Sequence, residues 1–303
     1  MTSYGSSTVS RRRRTKAELT EVDDAIIAAV AEEHPVTLRG VYYRVVSAGV
    51  VEKTELGYRL VGRRLLELRR NRKVPYSHVT DGTRWVTRPT TFTDLDQMLD
   101  DAAASYRRAL WHQQDDEVQI FTEKDAISGV ILPITQQWDV PLGVIRGYCS
   151  ESFAHNVAAS IINSNVSRSG TTYLYQLGDA DPSGVDAWRD FTEKVSAFIT
   201  EATAAELDLM QFVRFERLAV TEEQIDEWQL PTRPTKKSDS RAKKFTGRSV
   251  EVDAIPAPML RRLVEDVITE HMDQEQLRIT QHVEQEERDI FARMVARKRE
   301  EVA

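Results

Sequence analysis

The chain has 303 residues, 41% hydrophobic and 29% charged, with a formal net charge of -7. That length accommodates two domains, or one large one, with real cores. A single cysteine, Cys149, excludes an internal disulfide and disfavours a thiolate metal cage. No run approaches the ~20 apolar residues of a membrane span, and Arg11–Arg14 leads into a polar stretch in place of an apolar signal core, so a cytoplasmic or DNA-bound protein without membrane contact is expected.

Residues 1–90 carry 17 Lys/Arg against 10 Asp/Glu, so the rest of the chain is strongly acidic. A basic module that binds nucleic acid, joined to an acidic module that holds a metal, has this distribution. The plainer alternative is an unevenly charged solvated surface.

Met1–Thr15 is read as a disordered basic arm. A first helix fits Lys16–Glu33, with Val22, Ile26, Ala29 and Val30 on one face, and Pro35 stops it. A second fits Leu38–Ala48 and a third Glu55–Arg72, the latter with Tyr58, Val61, Leu65 and Leu68 as its apolar stripe. Tyr76–Pro89 contains Asp81-Gly82, a hairpin-turn signal. Three helices and a hairpin over 16–90 outline a winged helix-turn-helix, with the third helix in the recognition position. Arg59, Arg63, Arg64 and Arg70 on that helix, and Arg84 on the wing, are the candidate DNA contacts. The balance over Arg39–Arg88 is 12 Lys/Arg to 4 Asp/Glu.

Residues 91–116 read as a linker with a helix near Asp94–His112. From Val118 the rhythm becomes strand, helix, strand, helix. Strands are expected at Val118–Thr122, Leu142–Arg146, Thr172–Leu177 and Gln211–Arg217. Helices are expected at Asp125–Trp138, Ser152–Asn163 and Gly184–Thr200. This alternation predicts a parallel sheet covered on both faces over 117–255. Pro231–Gly247 is read as an exposed loop. Residues 256–303 are read as a charged helical extension whose sparse seam of Val283, Ile290, Phe291 and Met294 serves either a dimer or nothing beyond a solvated helix. The fold class is therefore multidomain, α followed by α/β.

Functional groups in parallel sheets gather at the carboxyl ends of the strands. Glu123 follows one strand, and Asp179 and Asp181 follow another. If those strands are neighbours, three hard carboxylates converge on one Mg²⁺, with Mn²⁺ as a substitute. Asp125 would be an outer acid. The competing reading of Asp-Ala-Asp-Pro is a turn that caps a helix. The six histidines show no zinc-ligand spacing, and neither a P-loop nor a Gly-x-Gly-x-x-Gly loop is found.

Phe121-Thr122-Glu123-Lys124-Asp125-Ala126 and Gly178-Asp179-Ala180-Asp181-Pro182-Ser183-Gly184 resemble the two motifs of the Toprim domain, in the version found in the A subunit of topoisomerase VI and the related meiotic double-strand-break protein. The resemblance implies Mg²⁺ held by Glu123, Asp179 and Asp181. It also implies a winged-helix domain whose tyrosine attacks DNA, with an arginine one helical turn earlier. Thr37-Leu38-Arg39-Gly40-Val41-Tyr42-Tyr43-Arg44 matches that place, giving Tyr43 as nucleophile and Arg39 as its partner.

Periodicity points the same way: Leu38, Val41, Tyr42 and Val45 form an apolar stripe, which leaves Tyr43 on the other side with Arg39, Gly40 and Ser47. The family pairs the tyrosine of one subunit with the acids of the other, so a homodimer acting on double-stranded DNA is implied. The chain is shorter than those A subunits and shows no ATPase motif, so duplex passage would require a separate ATPase subunit. Two other readings stand: a Toprim metal nuclease using water, and a non-catalytic DNA-binding protein.

Overall fold

The computed structural model describes residues 14–80, 89–165, 170–203, 208–233 and 247–302, in two compact units, Met1–Val79 and Thr80–Ala303.

Three capped helices build the first unit. Thr15 and Glu18 form a capping box that opens α1 (Lys16–Glu33), which buries Val22, Ile26, Ala29 and Val30. After Pro35 comes a two-residue strand, β1 (Val36–Thr37). The Thr37 hydroxyl accepts from Gly40 N at 2.9 Å and starts α2 (Leu38–Ser47). Thr54 does the same through Gly57 N at 3.1 Å for α3 (Glu55–Arg70), which buries Val61, Leu65 and Leu68. A second short strand, β2 (Val79–Thr80), pairs with β1. Of the hairpin expected over Tyr76–Pro89, Tyr76–His78 forms a 3-10 turn that leads into β2, and residues 81–88, with Arg84 and the expected turn, lie outside the described residues.

The second unit opens with α4 (Leu95–Ser105). This helix is shorter than expected, because tertiary contacts draw the following chain away. Arg107 donates to the carbonyls of Gln136 and Gln137, and Arg108 bonds Glu284 and Glu287. Then come β3 (Glu117–Thr122), α5 (Asp125–Gln137), β4 (Leu142–Val144), α6 (Glu151–Asn165), β5 (Thr172–Leu177), α7 (Pro182–Thr203), β6 (Val213–Ala219) and α8 (Glu222–Glu227). The strand β4 stops early because Arg146 and Gly147 turn with φ of 56° and 80°. The start of β6 is delayed by a 3-10 turn at Leu209–Phe212 that Asp208 caps.

The four strands form one parallel sheet in the order β4-β3-β5-β6. The chain moves from β3 outward to β4, then returns across β3 to β5. Leu174 and Phe121 on one face join a core with Ala154, Ala158 and Ile161 of α6 and Phe191, Val195 and Ile199 of α7. By strand alternation Ile120 points the other way, toward α5. The C-terminal segment forms two helices, α9 (Ala257–Glu270) and α10 (Gln274–Val302). Asp273 accepts from Glu275 N and Gln276 N at the break between them. The expected boundary at residue 256 falls inside this unit, since α9 buries Leu260, Val264 and Ile268 and packs on α5. No helix among the described residues is long and apolar enough to cross a membrane.

Candidate functional site

The register of β3 and β5 places Thr122 opposite Leu177, so the next residues of both strands leave the sheet together. Glu123 N donates to Leu177 O at 3.1 Å, and Asp179 N donates to Glu123 Oε2 at 3.2 Å. The helix after β3 and the helices flanking β5 diverge to opposite faces, so this edge is the switch point of the sheet. There a parallel α/β fold opens a crevice beyond its strand ends. Glu123 and Asp179, two of the three acids expected to converge, are thus brought into contact.

Asp181 has two tasks. Its Oδ1 accepts from Ser183 N at 3.0 Å and Gly184 N at 2.8 Å, so it caps α7, as the plainer reading of Asp-Ala-Asp-Pro supposed. Its Oδ2 faces Arg233 at 2.9 Å. The first turn of α7 must run close to the acids, and Gly184 permits this. A Cβ there would lie 2.6 Å from Asp179 O and 2.9 Å from Glu123 Oε2.

Two further acids complete the cluster, and the sequence reading missed both. Ala180 and Val250 form an antiparallel bridge, which brings Glu251 and Asp253 alongside Asp179. Val252 N donates to Asp179 Oδ1 at 3.0 Å. Asp179 is 6% exposed and Asp253 only 2%. No spacing rule links residue 179 to residue 253; only the bridge joins them.

Three cations answer these acids. Lys124 Nζ lies 2.8 Å from Asp179 Oδ1, 2.9 Å from Asp253 Oδ2 and 3.8 Å from Glu251 Oε2. Arg233 joins Asp181 to Glu251. Arg217 donates to the carbonyls of Gly178 and Asp179 and to Gln176 Oε1 beneath them. Burial, then the neighbouring Asp179 charge, raises the Glu123 carboxyl above its ordinary range. Burial likewise raises Asp179, outweighing the lysine beside it. Burial alone would depress Lys124, but Asp253, Asp179 and Glu251 overcome it and hold the ammonium above the usual lysine range.

Glu123, Asp179, Asp181, Glu251 and Asp253 outnumber Lys124, Arg217 and Arg233, which leaves a negative excess of the size that one divalent ion cancels. These donors are hard oxygens at buried and partly buried positions, and two of them, Asp179 and Asp253, already receive the Lys124 ammonium. That chemistry fits Mg²⁺ or Mn²⁺. No three His, Cys, Asp or Glu side chains are disposed as a ready cage among the described residues. The oxygens point instead to Lys124, Arg233 and the backbone of α7. Asp125, the expected outer acid, is engaged by Arg146, which binds both its oxygens at 2.6–3.0 Å.

In the first unit, Tyr43 departs from expectation. It is 3% exposed, and Tyr42 is 6% exposed. Periodicity put only one of them inside, but α2 is a ten-residue helix that packs against both α1 and α3, so more than one of its faces is covered. Tyr42 donates its hydroxyl to Thr54 O at 3.1 Å, while the Lys53 ammonium stands 5.2 Å from the centre of the Tyr43 ring. Arg39 places its guanidinium 5.7 Å from the Tyr58 ring. On α3, Arg59, Arg63 and Arg70 are exposed. Arg64 is a correction to the DNA-contact set: Asp23 and Glu67 claim its guanidinium, which ties α3 to α1.

Searches against protein-family models, curated proteins and solved structures find no match to this chain.

Proposed function

We propose that this protein cleaves DNA strands through divalent-metal-dependent phosphodiester chemistry, with a winged-helix first unit and a Toprim-like second unit acting as a homodimer on double-stranded DNA. The observation that carries the reading is the meeting of Glu123 and Asp179 at the switch point of the parallel sheet. Asp181, two residues after Asp179, is held by its cap of α7. Glu123, Asp179 and Asp181 would hold the ion, which supplies neutralisation of charge at the phosphate oxygens.

The chain's own groups have definite parts. Arg217 fixes the Gly178–Asp179 backbone from below. The bond from Val252 N turns the Asp179 carboxylate. Arg59, Arg63 and Arg70 offer exposed guanidinium groups to phosphates. The phenol oxygen of Tyr43 would bond to phosphorus as a deoxyribose oxygen leaves and takes the proton, yielding a tyrosyl–DNA phosphodiester. Arg39 would stabilise the developing charge. Duplex passage would require an ATPase subunit encoded separately.

The burial of Tyr43 favours a second reading, in which water attacks and Tyr43 is a core residue. Supercoiled plasmid incubated with Mg²⁺ or Mn²⁺, with and without protease before the gel, tests both. Protein-linked ends that vanish in Tyr43→Phe support transesterification. Cleavage that persists in Tyr43→Phe without linked ends supports hydrolysis. Salt-sensitive binding with no cleavage under either ion overturns both and leaves a DNA-binding protein.

A further inference from the structure

The acid cluster has a cation of its own, and its geometry bears on how a metal enters. Lys124 follows Glu123 directly, and its side chain turns back among the carboxylates. It touches acids from two distant stretches of chain, Asp179 after β5 and Glu251 with Asp253 beyond residue 248. Its head is mostly buried, with 23% of the side chain exposed, and Asp253 beneath it has 1%. Without a positive charge at this spot, two nearly buried carboxylates would face each other unscreened. The contact with Asp179 Oδ1 occupies one of the oxygens a metal would use.

We propose that Lys124 is the resident counter-ion of the site: its ammonium holds Asp179 beside Asp253 in the metal-free chain and leaves Asp179 when a divalent cation binds. This rests on the metal-site reading given above and adds to it a competition built into the chain. Asp253 is then the alternative seat of the ammonium, not a metal ligand. Lys124 stays paired with Asp253 while Asp179 changes partner. The exchange keeps the Asp179 carboxylate compensated in both states.

The test uses the full chain and two readouts other than cleavage. Thermal unfolding is followed in EDTA and across a MgCl₂ or MnCl₂ series for the wild type and Lys124→Met, an aliphatic replacement of similar length. The variant is expected to melt lower in EDTA, to gain more from either ion, and to show a severalfold lower apparent Kd. In parallel, the wild type is acylated with an amine-reactive ester, and the rate at Lys124 is read by mass spectrometry, with Lys53 and Lys194 as internal references.

Release from Asp179 predicts faster acylation of Lys124 when Mn²⁺ is present. A wild type that responds to the ions while Lys124→Met shows an unchanged apparent Kd overturns the counter-ion role but spares the metal site. An acylation rate that metal leaves unchanged does the same, and it decides the matter if Lys124→Met fails to fold. A wild type indifferent to both ions removes the metal site and the inference together.

Discussion

Gly184 and Glu123 are matched across the site: the missing side chain of the one makes room for the carboxylate of the other, since a Cβ at 184 would stand 2.9 Å from Glu123 Oε2. The same Cβ would meet the Asp179 carbonyl, which is backbone and cannot swing away. Gly184→Ala is therefore expected to cost about 1–3 kcal/mol of stability by overpacking. It should also weaken divalent-ion binding, because Glu123 is the movable member of the contact. Urea unfolding and metal-dependent melting check the two effects, and a variant with unaltered metal response would show that Glu123 is not positioned by this contact.

The raised Glu123 carboxyl makes a signed prediction. Its folded-state pKa lies above the unfolded value of about 4.5 because burial and the Asp179 charge disfavour ionisation. The folded chain thus binds the proton more tightly. The resulting stability is present below the unfolded pKa and is lost as pH rises through the folded one. Glu123→Gln removes this loss and keeps an oxygen that can accept from Asp179 N. Its melting temperature at pH 7–8 should exceed that of the wild type in EDTA, with the gap closing toward pH 4, while metal binding is lost. Equal melting at all pH values would refute the account.

Asp253 supports a buried charge. Asp253→Ala leaves Lys124 with Asp179 and the more distant Glu251 alone. Removing one partner of a buried ion pair costs about 3–5 kcal/mol, and the remaining acids should hold the loss near 3. Denaturant unfolding at pH 7 measures it. A loss below about 1 kcal/mol, the level of a surface pair, would mean the contact is solvated.

The two tyrosines of α2 separate fold from chemistry. Tyr42→Phe loses the bond to Thr54 O, worth about 1 kcal/mol, and should leave cleavage intact. Tyr43→Phe should abolish protein-linked DNA ends on denaturing gels. If both variants cleave alike and neither forms a covalent adduct, water is the nucleophile.

The arginines of α3 divide in the same way. Arg63→Ala and Arg70→Ala should each lower DNA affinity and reduce the slope of log K against log salt by about 1. Arg64→Ala should instead destabilise the fold by about 2 kcal/mol through the lost bonds to Asp23 and Glu67, with little change in the slope. Binding isotherms at several salt concentrations, read beside unfolding curves, distinguish the classes.

Much of this architecture could be read from local pattern. Lys16–Glu33 and Thr172–Leu177 form over the residues expected, because an apolar helix face, a stopping proline and a short run rich in apolar residues are local signals that tertiary structure did not override. The carboxyl-end placement of Glu123 and Asp179 was legible for the same reason: each follows a strand, and their strands proved adjacent and in register. Tyr43 was misread because periodicity assigns one buried face to a helix, while α2 is covered by two neighbours. Arg64 was misread because the acid that binds it, Asp23, lies on a different helix.

The sequence by itself determined most of the helices and strands and the identity of three acids at strand ends, since each depends on neighbours a few residues away. Only the tertiary structure decided what surrounds those acids. Glu251 and Asp253 arrive through a bridge between Ala180 and Val250, and Lys124 finds its partners 55 and more residues along the chain. Charge compensation among buried groups is a property of proximity in space, and no periodicity encodes it.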